Sequence, residues 1–212
     1  MGSRAFRGTP GCKVYLFRHG ETANASQVCM NGHFDVSLSD KGLEQSRQIA
    51  QSLEKHPIRA VYSSDLQRTV HGARLIAEPH GLEPVACPEL RELSFGQWEG
   101  MSLAELNEKF PGEMEKRVKQ TEAFRADGGE SFQDLYKRVV PKFLERVAQH
   151  ASDSIAFMCH GGVNRIILAH LLGLPIANLF RISQSFAAVN IIQFYDDQVL
   201  VELINGTWKQ IT

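Results

Sequence analysis

Long apolar runs are missing from this chain: nothing in its 212 residues approaches the length of a membrane span. An excess of charge is missing too. There are 23 lysines and arginines against 24 aspartates and glutamates, a formal net charge of -1. That balance gives no general attraction to nucleic acid or to an anionic membrane surface. Cysteine is sparse, and Cys12, Cys29, Cys87 and Cys159 form neither a C-x-x-C pair nor a zinc-finger spacing. Reduced thiols in the cytoplasm are expected rather than a disulfide scaffold. The opening "MGSRAFRGTPGCK" has basic residues but no apolar h-region, so no signal peptide is expected, and Phe6 breaks the myristoylation pattern. Residues 1–12 read as a flexible tail. With no internal repeat and no linker, residues 13–212 read as a single domain. At 43% hydrophobic content it can bury a core without structural metal.

What is present is an alternation of strand-like and helical segments, which predicts an α/β layer fold with a largely parallel sheet. Strands are expected at 13–17, 60–62, 85–87 and 154–158. Ser39 should cap a helix with Leu43, Arg47, Ala50 and Leu53 on one face. Asp65 should open a second helix carrying Val70, Ala73, Ile76 and Ala77. Ser102 and Glu105 form a capping box at the head of a charged, weakly amphipathic stretch, and 102–129 reads as an insertion over one end of the sheet. Ser131 should begin a long helix that Pro141 kinks or divides. A strongly apolar helix follows Gly161-Gly162. Segments 187–195 and 199–204, joined through Asp196-Asp197, predict an antiparallel hairpin.

The chemistry gathers at strand ends. The first strand runs into Arg18-His19-Gly20, the fourth into "FMCHGG" with His160 in the matching place, and "SSDLQR" puts Arg68 early in the second helix. In an open α/β sheet, strand C-termini line the edge where ligands bind, and helix N-termini point amides and a positive dipole end at it. Two arginines, two histidines and such helix ends suit a compact dianion, phosphate above all, because guanidinium groups grip its oxygens in pairs. A neutral imidazole can attack that phosphorus if its other nitrogen is fixed as a donor. "ELRELSFGQWEG" offers Glu92 and Glu99 as the general acid, beside Phe95 and Trp98, whose bulk would desolvate a carboxyl and favour its protonated form.

Five motifs in order, "RHGETAN", "SSDLQR", "LRELSFGQWEG", "GGESF" and "CHGG", make the chain resemble the histidine phosphatase (phosphoglycerate mutase-like) superfamily. The resemblance implies a three-layer α/β/α sandwich around a mixed sheet and neither metal nor cofactor. It implies His19 as the phosphorylated nucleophile and Arg18, Arg68 and His160 as phosphoryl ligands. Asn24 and Gly161 would assist in binding, and Glu92 would be the proton donor. "RELSFG" in place of a mutase-like "NERHYG", and the short insertion, resemble the phosphatase branch, which includes α-ribazole and broad-specificity phosphatases. The expectation is a phosphomonoesterase acting on a small phosphorylated metabolite, with specificity in 25–37 and 102–129.

Other readings compete. A cofactor-dependent phosphoglycerate mutase is the alternative on the same fold. "CHGGVNR" also fits C-x-x-G-x-x-R, with Cys159 and Arg165 as a cysteine-phosphatase loop. A non-catalytic phosphate-binding scaffold would need neither His19 nor Glu92. His33 sits in the loop after the first motif, within reach of substrate or solvent. His56, His71, His80, His150 and His170 lack metal-ligand spacing. Glu113–Lys119 reads as a solvated face. Oligomeric state stays open, a homodimer included.

Overall fold

The structure, a computed structural model, describes residues 8–211. Six strands form one sheet: β1 (Pro10–Arg18), β2 (Ile58–Ser63), β3 (Val85–Ala86), β4 (Ser154–Cys159), β5 (Val189–Tyr195) and β6 (Val199–Gly206), in the order β3-β2-β4-β1-β5-β6. β3, β2, β4 and β1 are mutually parallel, while β5 runs antiparallel to β1 and forms the expected hairpin with β6.

Central strands of such a sheet are covered on both faces, so their side chains are apolar in both directions. In β1, Cys12, Val14 and Leu16 enter one core while Tyr15 and Phe17 enter the other. β4 divides likewise, Ile155, Phe157 and Cys159 against Ala156 and Met158. Helices α1 (Asp40–Leu53) and α2 (Gln67–Ala77) cover the Phe17 face, and α5 (Phe132–Ala148) and α6 (Gly161–Leu171) cover the Leu16 face. The result is the expected three-layer sandwich.

Several expectations need correction. β1 begins at Pro10, so 10–12 belong to the sheet rather than to a tail; residues 1–7 lie outside the described residues. Ser39 does cap α1, accepting from the Gly42 amide, but the buried stripe is Gly42, Ser46, Ile49, Ala50 and Leu53, with Arg47 exposed. α2 starts at Gln67 rather than Asp65, because the Asp65 carboxylate is held bidentately by Arg91 instead of capping. Pro141 neither divides nor ends α5. It lies on the exposed side, while Leu135, Val139, Val140, Phe143 and Val147 hold the other side in the core.

The insertion is built from two short helices, α3 (Leu103–Lys109) and α4 (Glu113–Lys119), the first opened by the Ser102–Glu105 capping box. It has its own small core of Met30, Trp98, Leu106 and Ala126. Backbone bonds from Leu103 to Val28 and from Met30 to Met101 tie it to the loop after β1. No helix among the described residues is long and apolar enough to cross a membrane.

Candidate active site

β1 and β4 are neighbours with Arg18 opposite Cys159, so the next residues, His19 and His160, leave the sheet side by side. The His19 amide donates to the Cys159 carbonyl at 3.0 Å, and the two imidazole centroids lie 5.3 Å apart, edge to face. Gly20 is obligatory after them, because a Cβ there would collide with the backbone of Gly42 in the first turn of α1.

His19 is buried, and its Nδ1 lies 2.8 Å from the Gly20 carbonyl. A carbonyl only accepts, so Nδ1 carries the proton and Nε2 keeps its lone pair. Burial first, then Arg18 and Arg68, push the His19 pKa well below its usual value, so the ring is neutral near pH 7. His160, fully buried at the head of α6, is likewise pushed down by burial and by Arg68. Ser64 Oγ, 2.8 Å away, occupies His160 Nε2, which leaves Nδ1 with no partner among the described residues.

The arginines are fixed by the backbone. Arg18 Nη1 donates to the Gln184 carbonyl at 2.6 Å, and its guanidinium lies 4.2 Å over the Phe186 ring. Burial lowers its pKa to about 10, with Glu92 opposing, so it stays charged. Arg68, 1% exposed, donates from Nη1 to Phe34 and from Nη2 to Gly32. In both side chains the buried Nε has no partner among the described residues.

Glu92 reaches across to α6. Its Oε2 accepts from the Gly162 amide at 2.9 Å and its Oε1 from the Leu93 amide at 2.9 Å. The approach is so close that a Cβ on Gly162 would overlap the Glu92 carboxylate, which gives the second glycine of "HGG" its physical reason. The backbone under Glu92 is clamped. Arg138 on α5 donates to the carbonyls of Glu89, Arg91 and Glu92 at 2.7–2.8 Å, and His33 Nε2 lies 3.0 Å from the Glu92 carbonyl. Arg138 is held in turn by a two-pronged bond to Glu130 of "GGESF". Burial alone would raise the Glu130 pKa, and Arg138 with the Ser94 amide takes it below the usual value.

A cavity of 420 Å³ opens here, lined by Arg18, His19, Arg68 and Glu92 at its polar end. Residues of the loop after β1 from Ala25 to Gly32 also line it, as do Phe95, Arg117, Arg165, Phe180 and Phe186. The two segments expected to carry specificity, 25–37 and 102–129, thus both reach the cavity.

Other expectations fail at this site. Asn24 is not in the lining: its amide pairs reciprocally with that of Asn31, and Asn31 faces the cavity instead. Gly161 contributes position rather than a side chain, since a methyl group there would sit 3.2 Å from Arg165 Nη1 and 3.4 Å from Arg18 Nε. Glu99 accepts from three backbone amides, those of His33, Phe34 and Phe95, and serves the loop rather than the cavity. Trp98 lies in the core of the insertion, so of the two expected aromatics only Phe95 reaches the Glu92 side. Cys159 points into the core between β4 and α6, where burial pushes its thiol pKa up, the reverse of an activated nucleophile. That removes the cysteine-phosphatase reading. Arg117, expected on a solvated face, turns inward.

The chain is similar to several known proteins over most of its length. Phosphoserine phosphatase 1 of Hydrogenobacter thermophilus is 29% identical to the chain, over 92% of each. The probable phosphoglycerate mutase GpmB of Enterobacter sp. (strain 638) is 33% identical, over 77% of this chain and 76% of that protein. The crystal structure of the α-ribazole phosphatase from Shigella flexneri superposes with a TM-score of 0.83 at 26% identity, covering 92% of this chain and 96% of that one. Residues 14–207, which hold every side chain of the site, match the family pattern as a whole, and the protein belongs to the histidine phosphatase superfamily, branch 1.

Proposed function

We propose that the protein is a phosphomonoesterase that works through a phosphohistidine on His19 and acts on a small phosphorylated metabolite. One observation carries this reading. Three buried nitrogens, Arg18 Nε, Arg68 Nε and His160 Nδ1, have no partner among the described residues, and their side chains act on a neutral imidazole whose free Nε2 is set by Gly20. Buried donors left unpaired are costly, and a phosphoryl group would satisfy all three.

In the first step His19 Nε2 attacks phosphorus and the ester P–O bond breaks. Glu92 gives its proton to the departing oxygen, releasing an alcohol. In the second step water attacks the phosphohistidine, Glu92 takes the proton, and inorganic phosphate leaves with His19 restored. Arg18, Arg68 and His160 hold the three equatorial oxygens throughout, a positioning and electrostatic task. No step calls for a metal ion.

Brief exposure to a labelled phosphomonoester should leave an acid-labile, base-stable adduct that is absent in His19→Ala. An adduct elsewhere, or none while phosphate is released, would overturn the assignment. The GpmB relative supports a second reading, phosphoryl transfer between positions of a phosphoglycerate. Primer-dependent isomerisation much faster than phosphate release would select it. Release of phosphate with little isomerisation is the outcome expected.

A further inference from the structure

Arg117 and Arg165 have no task in the reaction just described, yet both line the cavity. They come from unrelated places, Arg117 from α4 of the insertion and Arg165 from one turn into α6. They meet at Phe180, whose ring lies 5.7 Å from the Arg117 guanidinium and 5.6 Å from that of Arg165. Arg117 is further boxed in by Phe95 at 5.3 Å and Phe132 at 5.6 Å, and Arg165 is anchored by its Nε to the Ile182 carbonyl at 2.9 Å. Both are partly withdrawn from water, which lowers their pKa values, and Arg165 further depresses Arg117 and Arg18.

A cation withdrawn from water normally sits beside an anion. Arg68 has Asp35 and Glu99 near it as well as Glu92. For Arg117 and Arg165 the one carboxylate among the described residues that acts on either is Glu92, which also acts on Arg18 and Arg68 and is the proposed proton carrier. Among the described residues the cavity lining therefore holds four arginines and one carboxylate, with His19 in the lining and His160 behind it both neutral. A phosphoryl dianion next to His19 leaves positive charge over, and that surplus lies at the Arg117–Arg165 end. Gly161 links the two ends, since Arg18 Nε and Arg165 Nη1 both lie against it. The second cationic place is thus directly beside the first.

Resting on the phosphatase reading above, we infer that Arg117 and Arg165 form a second anion subsite. The substrate class is then a phosphomonoester that carries a carboxylate a few bonds from the phosphoryl group. Planar guanidinium forks match a carboxylate in geometry, and the aromatic rings covering their faces leave the N–H edges for it.

Binding to full-length His19→Ala tests this without turnover. Calorimetry compares 3-phosphoglycerate with glycerol 3-phosphate, which differ only in a carboxylate replacing a hydroxymethyl group. The carboxylate should tighten binding by about 10- to 100-fold, the range of charge-assisted hydrogen bonds. That ratio should fall toward one when Arg117→Met or Arg165→Met is added. Equal affinities, or a ratio kept in both arginine variants, would overturn the inference. Glycerol 1,3-bisphosphate binding far more tightly than 3-phosphoglycerate would overturn it in favour of a second phosphoryl group. Arg165→Met removes an anchor to Ile182, so if that variant does not fold, Arg117→Met on the outer helix decides alone. Turnover of both esters by the wild type is read separately: a wild type that hydrolyses neither and forms no adduct on His19 refutes the phosphatase reading. The binding ratio then still decides for or against the subsite.

Discussion

Replacing Glu92 by glutamine keeps its shape and one of its two backbone contacts, since the amide NH2 cannot accept from the Gly162 or Leu93 N–H, and it removes the proton that the proposed mechanism assigns to this side chain. General acid–base help is typically worth about 10²–10⁴-fold. An alkyl phosphate leaves as a strongly basic alkoxide and needs that proton, whereas a nitrophenyl phosphate hardly does. Glu92→Gln should therefore slow attack on alkyl esters severely and on the nitrophenyl ester mildly, with a burst of nitrophenol before slow turnover. Equal slowing of both esters would remove Glu92 from the acid role. A second expectation concerns pH. His19 and His160 titrate in the folded protein well below their unfolded value near 6.5, so below that pH the unfolded chain binds protons that the folded one refuses. The stability these groups contribute is full above about 6.5 and is lost as pH falls from there toward the folded values. Denaturant titrations in phosphate-free buffer between about pH 5.5 and 6.5 should give a shallower slope for His19→Gln than for wild type; identical slopes would contradict the assignment. At this scale the sequence is legible where residues are bound to motifs. Arg18, His19, Arg68, Glu92 and His160 all converge as expected. Arg117 was hidden because a charged helix reads as solvated until a partner surface of phenylalanines is known. Asn24 was misplaced because nothing in "RHGETAN" foretells that Asn31 takes up its amide.

Elements position what residues perform, and the segment from Glu89 to Glu92 has little regular structure of its own. Its order comes from α5, through the Arg138 guanidinium that spans three of its carbonyls. Arg138→Lys keeps the charge but cannot reach three acceptors and the Glu130 carboxylate together. Misplacement of a catalytic group by about 1 Å can cost on the order of 100-fold. The expected result is a lower kcat on alkyl esters with KM little changed, and a much smaller loss on the nitrophenyl ester, because Arg138 acts only through Glu92. Equal losses on both esters would mean a general structural role. The elements themselves were mostly legible, since strands with both faces buried and Ser-capped helices leave strong patterns. Pro141 misled because its position around the helix, on the solvent side, is a property of packing that local sequence does not carry. The α1 stripe misled for a related reason: Gly42 and Ser46 are buried by close approach, not by apolarity, and no hydrophobic pattern marks them.

For the molecule as a whole, the positive charge that a phosphoryl group would meet comes from the chain's own arginines. Activity should survive exhaustive chelation, and vanadate, a mimic of five-coordinate phosphorus, should inhibit in competition with substrate. Restoration of a chelated, inactive enzyme by a divalent ion would refute this. The strand order has a further consequence, one that concerns synthesis. β1 leaves the ribosome well before the two strands it pairs with, since it lies between β4 and β5, which follow it in the chain by more than a hundred residues. At about 5–20 residues per second, β1 waits on the order of ten seconds for β4, and longer for β5. During that wait "VYLF", apolar on both faces, has no neighbour to pair with. The nascent chain thus carries an apolar strand with both edges unpaired until β4 and β5 emerge, and His19 at its end gains its setting beside His160 only then.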